Sequence, residues 1–370
     1  MSNTAQPLFD LTPTDEQRMN RDTMQRFAAA EMRAQAKIAD EANTTPEDFY
    51  ARTATLGLAL LPIPEALGGA GMSHSPTSNA LIMEDLAHGD LGLALGALSP
   101  MAFVNTLLDQ GTDAQREMYL PRFCNEEFVA ATTALLEPRA TFEPTQLATR
   151  ATANSDGFTL SGTKTMVPLG LDAQLVIVVA ELQDHGPAAF LIEGTPQGMQ
   201  REPESHMGLR TLQLATLVFE EVQVPTTALL GGGDFNLRRF LDLSRIGICA
   251  LAVGACQAIL DYVTPYVNER QAFGEPISHR QSVAFMVADI AIELEAMRLM
   301  TWRAASRAEQ GLDFHEQSYL AKLFCAEHAM KIATDGVQLL GGHGFCREHP
   351  VEMWYRNLRA IAILDGVASV

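Results

Sequence analysis

Asp365, in Leu364-Asp365-Gly366 near the end of the chain, is a carboxylate suited to taking a proton from carbon. Read alone, it is equally a turn or C-cap Asp before a glycine. Arg270, in Arg270-Gln271-Ala272-Phe273-Gly274, offers a planar fork for a phosphate, or is an ordinary surface charge. Gln281 is a polar helix start or a ligand contact. Gln338, Gly341 and Gly342, in Gln338-Leu339-Leu340-Gly341-Gly342-His343-Gly344-Phe345, close a helix. Glycines there let a backbone approach a ligand, or simply end the helix. His343 and His349 lack further ligands at helical or loop spacing, so no metal site is expected.

Composition limits what these residues serve. The chain has 370 residues, with 26 Lys plus Arg against 45 Asp plus Glu, a net charge of −19. That balance argues against nucleic acid as partner, because phosphate neutralisation needs clustered cations. Hydrophobic residues are 47% and charged residues 19%, a core-building chain of two or three domains. The opening MSNTAQPLFDLTPTDEQ has no basic segment followed by an apolar one, so no secretory leader is expected. The uncharged apolar run Ile246 to Leu260 falls short of the ~20 residues of a membrane span and reads as a buried helix. Cys124, Cys249, Cys256, Cys325 and Cys346 form no C-x-x-C pair and read as reduced cytoplasmic thiols.

Three regions position these groups. Residues 1–129 read as helices rich in Ala, Met, Leu, Gln and Glu, with a helix start at Thr112 followed by Glu117. Residues 130–232 read as strands at 158–167, 174–182, 188–194 and 215–225, with turn signals suggesting a β-barrel or sandwich. Residues 233–370 return to helices at 237–269, 281–310 and 316–340. The second of these carries apolar residues on more than one side, so it must be buried on more than one side, and a bundle packing on other subunits is expected.

RQAFGEPI, RQSVAFMVADIA and VQLLGGHGFCREHPVEMWYRNLRAIAILDG together resemble the acyl-CoA dehydrogenase family of flavoproteins. PEALGGAGMS, IMEDLAHGD, GTDAQREMYLPRF, LEP, GFTLSGTK and MGLRTLQLATLVFEEVQVP extend the resemblance, in order, over nearly the whole chain. It implies an N-terminal helical domain, a middle β-barrel and a C-terminal four-helix bundle that forms tetramers. It implies FAD, with Arg270, Phe273, Gln281, Gln338, Gly341 and Gly342 at its adenine and pyrophosphate end, largely across a subunit interface. Leu136, Met166 and Val167 fall on positions facing the flavin ring, although as residues they read as core. The implied reaction is α,β-desaturation of an acyl-CoA, with Asp365 abstracting the α-proton and an electron-transferring flavoprotein receiving the electrons.

Departures from the family pattern are specific. The family's catalytic Glu is Asp365, which withdraws the carboxylate by about 1.5 Å, and such misplacement can cost about a hundredfold. The aromatic before the base is Leu364, and the Thr two positions after it is Val367. The alternative base position is Ser244. The T-E-P-G-x-G-S-D loop reads Leu136-Glu137-Pro138-Arg139-Ala140-Thr141-Phe142-Glu143, and W-I-[TS] reads Met166-Val167-Pro168, where proline removes an N–H. Arg210 reads as an ion-pair partner rather than a CoA ligand. Two alternatives therefore stand beside the dehydrogenase: a degenerate subunit of an α2β2 heteromer that completes a partner's FAD site, and a nitroalkane-oxidase-like enzyme with Asp as base.

Overall fold

The computed structural model describes residues 12–370, so most of the segment read for a leader lies outside the described residues. Helices come first: α1 (Asp15–Phe27), α2 (Ala34–Ala42), α3 (Phe49–Ala54), α4 (Pro76–Ala87), α5 (Leu91–Gln110) and α6 (Asp113–Tyr119). Thr14 and Gln17 form a capping box that starts α1, and a π-helical stretch at Ala28–Arg33 joins it to α2. The start expected at Thr112 is present, but its reciprocal partner is Gln115, not Glu117, because the box needs a side chain three residues on.

The strands are β1 (Ala131–Ala134), β2 (Arg150–Ala153), β3 (Gly157–Pro168), β4 (Leu175–Leu182), β5 (Gly186–Glu193), β6 (Met199–Pro203) and β7 (Leu214–Pro225). They form one curled sheet in the order β1-β4-β2-β3-β7-β6, with β5 on the other side of β4. β4 runs parallel to β1 and β2, and the other pairs are antiparallel. The four long strands match the sequence reading. β1, β2 and β6 escaped it because four or five residues of Ala, Thr and charged side chains carry no legible alternation.

The last region holds α7 (Leu237–Glu269), a short hairpin of β8 (Gln271–Ala272) and β9 (Glu275–Pro276), α8 (Gln281–Glu309), α9 (His315–Leu339) and α10 (Val351–Leu358). α5 and α7 are apolar and long enough to cross a membrane by composition, which the uninterrupted run alone did not signal. They are instead core helices, 94% and 78% buried over their most apolar windows. α8 leaves Phe285 and Ile292 exposed, and α9 leaves Leu320 and Leu323 exposed.

Polar nodes register these regions on one another. Asp90 caps α5 by accepting from the Leu93 N–H at 2.8 Å, and also accepts from Thr211 Oγ1 (2.8 Å) and Asn357 Nδ2 (3.3 Å). Asp40 at the end of α2 receives both guanidinium nitrogens of Arg356 on α10, at 2.9 and 2.7 Å. Arg210 also bonds Asp40, through its backbone carbonyl at 2.9 Å, and lies 3.9 Å from its carboxylate, an ion pair as expected.

Inside the sheet Lys164 and Glu137 form a pair with essentially no exposure, at 3.0 Å. Lys164 Nζ also reaches the Leu135 carbonyl at 3.0 Å, and Glu137 accepts from the Ala148 and Thr149 amides at 2.7 Å each. Burial alone would raise Glu137; Lys164 and the amides outweigh it and hold the carboxyl below its usual range. Burial pushes Lys164 down to about 8 against the pull of Glu137.

Glu137→Gln strands the buried ammonium and is expected to lower stability by about 3–5 kcal/mol in urea unfolding. Glu137→Gln with Lys164→Met should recover most of that loss. An unfolded lysine keeps its proton to about pH 10.4. Between about pH 8 and 10 the unfolded chain therefore binds more protons at this position, so stability rises with pH across that window. Lys164→Met should abolish that rise; a rise that persists in the variant refutes the assignment.

Candidate functional site

The first candidate is a groove of about 510 Å³ between the end of α7, the β8–β9 hairpin, the start of α8 and the end of α9. Arg270, Phe273, Gln338, Gly341 and Gly342 all line it, so the structure brings together five residues that lie up to 72 apart in sequence. Gln281 opens α8 between the lining residues Arg280 and Ser282, but does not itself line the groove. Tyr266, Arg280 and His343 also line it and were not singled out as ligand contacts. Arg280 directly precedes Gln281, which was the available signal. Its guanidinium pairs with Glu275 at 3.0 Å and lies 5.7 Å from the Phe273 ring. The Tyr266 hydroxyl is bonded to His343 Nδ1 at 2.9 Å, and the His343 ring stacks on His349.

The groove's surfaces suit a nucleotide diphosphate. Gly341 has φ +58°, and a Cβ at Gly341 or Gly342 would meet no atom within 4 Å, so the glycines leave open space rather than satisfy internal packing. Phe273, 95% exposed, stands uncovered at the rim. Two guanidiniums, one amide side chain and an imidazole face the same space. The adenine and pyrophosphate end of FAD therefore fits these residues.

The second candidate centres on Asp365. Arg245 from α7 approaches Asp365 Oδ2 at 3.4 Å, and Asp365 Oδ1 is buried with no hydrogen-bond partner. Arg245 is shared with Asp242 at 3.5 Å. Asp242 in turn accepts from His315 Nδ1 at 2.8 Å and Ser318 Oγ at 2.9 Å. Lys322 from α9 donates to the Leu364 carbonyl, and Thr133 Oγ1 from β1 donates to the Gly366 carbonyl. Gly366 has φ +70°, and a Cβ there would press on Leu135 at 2.6 Å. Ser244, at the alternative base position, is buried and its Oγ accepts from the Ala368 N–H at 3.4 Å. It braces the chain after the turn. None of the groove's lining residues belongs to this cluster.

The three positions expected against a flavin ring are not in the groove. Leu136 is 5% exposed, Met166 9% and Val167 1%, all packed into core clusters. A bulge between Lys164 and Val167, with Met166 at φ +52°, frees the Met166 N–H from the β3–β7 ladder. Glu204 takes it, accepting from the Met166 N–H at 3.0 Å and from the hydroxyls of Thr165 and Thr216. Burial would raise Glu204; His206 at 2.6 Å and these donors hold it at about 2. Pro168 offers no N–H beside it. The three positions expected against a flavin ring are thus buried, while the groove lined by Arg270, Phe273, Gln338, Gly341 and Gly342 is open.

Three family models match the chain: the acyl-CoA dehydrogenase N-terminal domain over residues 14–127, the middle domain over 132–222 and the C-terminal domain over 232–370. The short-chain specific acyl-CoA dehydrogenase of Bos taurus mitochondria is 33% identical over 362 residues, covering 95% of this chain and 87% of that protein. Cyclohex-1-ene-1-carbonyl-CoA dehydrogenase of Geobacter metallireducens is 33% identical over 369 residues, covering 96% of each. The structure of butyryl-CoA dehydrogenase from Megasphaera elsdenii superposes with a TM-score of 0.88 at 30% identity, covering 96% of this chain and 95% of that one. Members of this family carry FAD and are oxidoreductases acting on the CH–CH bond of acyl-CoA thioesters. The three matches follow one another from residue 14 to 370 and coincide with the helical, sheet and helical regions: the chain belongs to the acyl-CoA dehydrogenase family.

Proposed function

We propose that this chain is an FAD-dependent acyl-CoA dehydrogenase subunit that places an α,β double bond in a CoA thioester, with Asp365 taking the α-proton. One observation carries this reading. Asp365 is oriented by Arg245 through one oxygen, and its other oxygen is buried and unpartnered. A fixed carboxylate with a free lone pair is what abstraction from carbon requires. Bound FAD supplies the hydride acceptor. Arg270, Arg280, Gln338 and the Gly341–Gly342 turn would hold its pyrophosphate and adenine end. Leu364 and Val367, 1% and 2% exposed, exclude water around the base.

The relatives are named for short-chain, butyryl and cyclic acyl thioesters, which supports a compact acyl group. Electrons pass onward to an electron-transferring flavoprotein. The exposed apolar residues of α8 and α9 support association into tetramers, and the five unpaired cysteines support a cytoplasmic setting.

A second reading is favoured by the closed ring side. Here the open groove completes the FAD site of a different, partnering chain in a heteromer, and this subunit turns over nothing itself. The visible spectrum of the chain purified alone separates the two. Near one FAD per subunit supports the first reading; a colourless, folded protein supports the second.

If the chain holds FAD, Asp365→Asn should slow anaerobic flavin bleaching by butyryl-CoA by about 10²–10⁴-fold with flavin content unchanged. Bleaching at the wild-type rate would remove Asp365 as base. Arg270→Ala should weaken flavin retention on dialysis by about 10–100-fold, the worth of a charge-assisted hydrogen bond. In the heteromeric case the same loss is read on the co-purified pair.

A further inference from the structure

We infer that Lys322 and Thr133 are positioning residues that clamp the Asp365 turn from opposite sides. This rests on the reading of Asp365 as base. The carbonyl before the base, of Leu364, accepts from Lys322 on α9 in the C-terminal bundle. The carbonyl after it, of Gly366, accepts from Thr133 on β1 in the sheet. Each donor comes from a different region, so the peptide units on both sides of Asp365 are held independently of its own side chain. The turn is drawn onto the end of β1 closely enough that only glycine fits at 366: a Cβ would lie 2.6 Å from Leu135 and 3.1 Å from Phe240. Beyond the turn, the Ser244 hydroxyl accepts from the Ala368 N–H, and the Asn105 amide reaches the Ser369 carbonyl at 3.0 Å.

The clamp answers the problem posed by the shorter acid. Asp has one fewer rotatable bond than Glu, so its carboxylate goes where the backbone puts it, and backbone position becomes the controlling variable. Lys322 adds charge to geometry. Its amine lies among Asp365, Arg245 and the thiols of Cys249 and Cys325, and burial pushes its pKa down while Asp365 pulls it up. Asp365 therefore faces Arg245 from α7 at 3.4 Å and Lys322 from α9 farther off, with Asp242 and His315 beyond Arg245. Removing the Lys322 charge leaves Arg245 alone to favour the carboxylate.

The test uses Lys322→Met, Lys322→Arg and Thr133→Val in the full chain, with the partner present if FAD requires it. Hydrogen–deuterium exchange is read first, because it needs no turnover. Peptides covering 363–370 should exchange about tenfold faster in Lys322→Met and Thr133→Val, with α7 and α5 unchanged. Exchange of the α-proton of butyryl-CoA with solvent is read second. Both variants should lose about 10–100-fold in rate at unchanged KM. In Lys322→Met alone the acid limb of the rate should move to higher pH, and Lys322→Arg should restore it. Unchanged protection of 363–370 in both variants overturns the clamp. Protection lost with rate and pH limb unmoved reduces Lys322 to a structural role and equally overturns it. Wild-type α-proton exchange in Asp365→Asn defeats the base reading instead, and the clamp is then judged on peptide exchange alone.

Discussion

Asp90 is a carboxylate buried completely and held by hydrogen bonds rather than by an ion pair, at the point where three parts of the chain meet. Burial pushes its pKa up, so its donors must be in place for it to be tolerated there. They come from the start of α5, from Thr211 in the loop before β7, and from Asn357 at the end of α10. Asn357 also accepts from the Leu209 N–H at 2.7 Å, and a Cβ on Gly208 would strike the Arg356 carbonyl at 2.2 Å. A shift of any one region would leave a polar group unsatisfied or force backbones together. The relative placement of the helical, sheet and bundle regions follows from that demand.

The Asp365 turn depends on this registration because it touches all three regions. α7 and α9 supply Arg245 and Lys322, β1 supplies Thr133, and α5 supplies Asn105 to the chain just beyond. Nothing within the turn itself could hold Asp365 in one place. The Glu137–Lys164 pair plays the same part for the sheet: it fixes the segment after β1 to the middle of β3, where the ring-facing positions lie. The two candidate sites are built differently. The groove is made from helix ends and a hairpin and stays open. The ring-facing side is made from sheet residues and is packed shut.

Departures from the family pattern thus have a physical consistency. Glu204 takes the amide that the bulge at Met166 frees, and Pro168, two residues on, has no N–H to offer. Arg139, where the family has glycine, folds back onto Glu137 at 3.2 Å and lies over the Phe142 ring at 5.9 Å. That carboxylate then carries two cations. Asp365, one methylene shorter than the family's Glu, sits in a turn with both flanking carbonyls engaged.

The chain order alone determined the helical–sheet–helical layout, because long periodic segments such as 237–269 and 281–309 carry their apolar pattern within themselves. It also determined the motif residues of the groove, since Arg270, Phe273, Gln338 and the two glycines stand in recognisable local runs. It did not single out Arg280, His343, Lys322 or Thr133 for the roles they have, and Gln281 opens α8 beside the groove without lining it. Lys322 and Thr133 have ordinary neighbours in sequence, and their roles arise from partners far along the chain: Thr133 meets Gly366 across 233 residues, and Lys322 meets Leu364 across 42. Only the tertiary structure decided that Leu136, Met166 and Val167 are buried while the groove at Arg270 and Gly342 is open. Burial is set by what packs from elsewhere, and local sequence specifies which side chains are apolar but not which surface covers them.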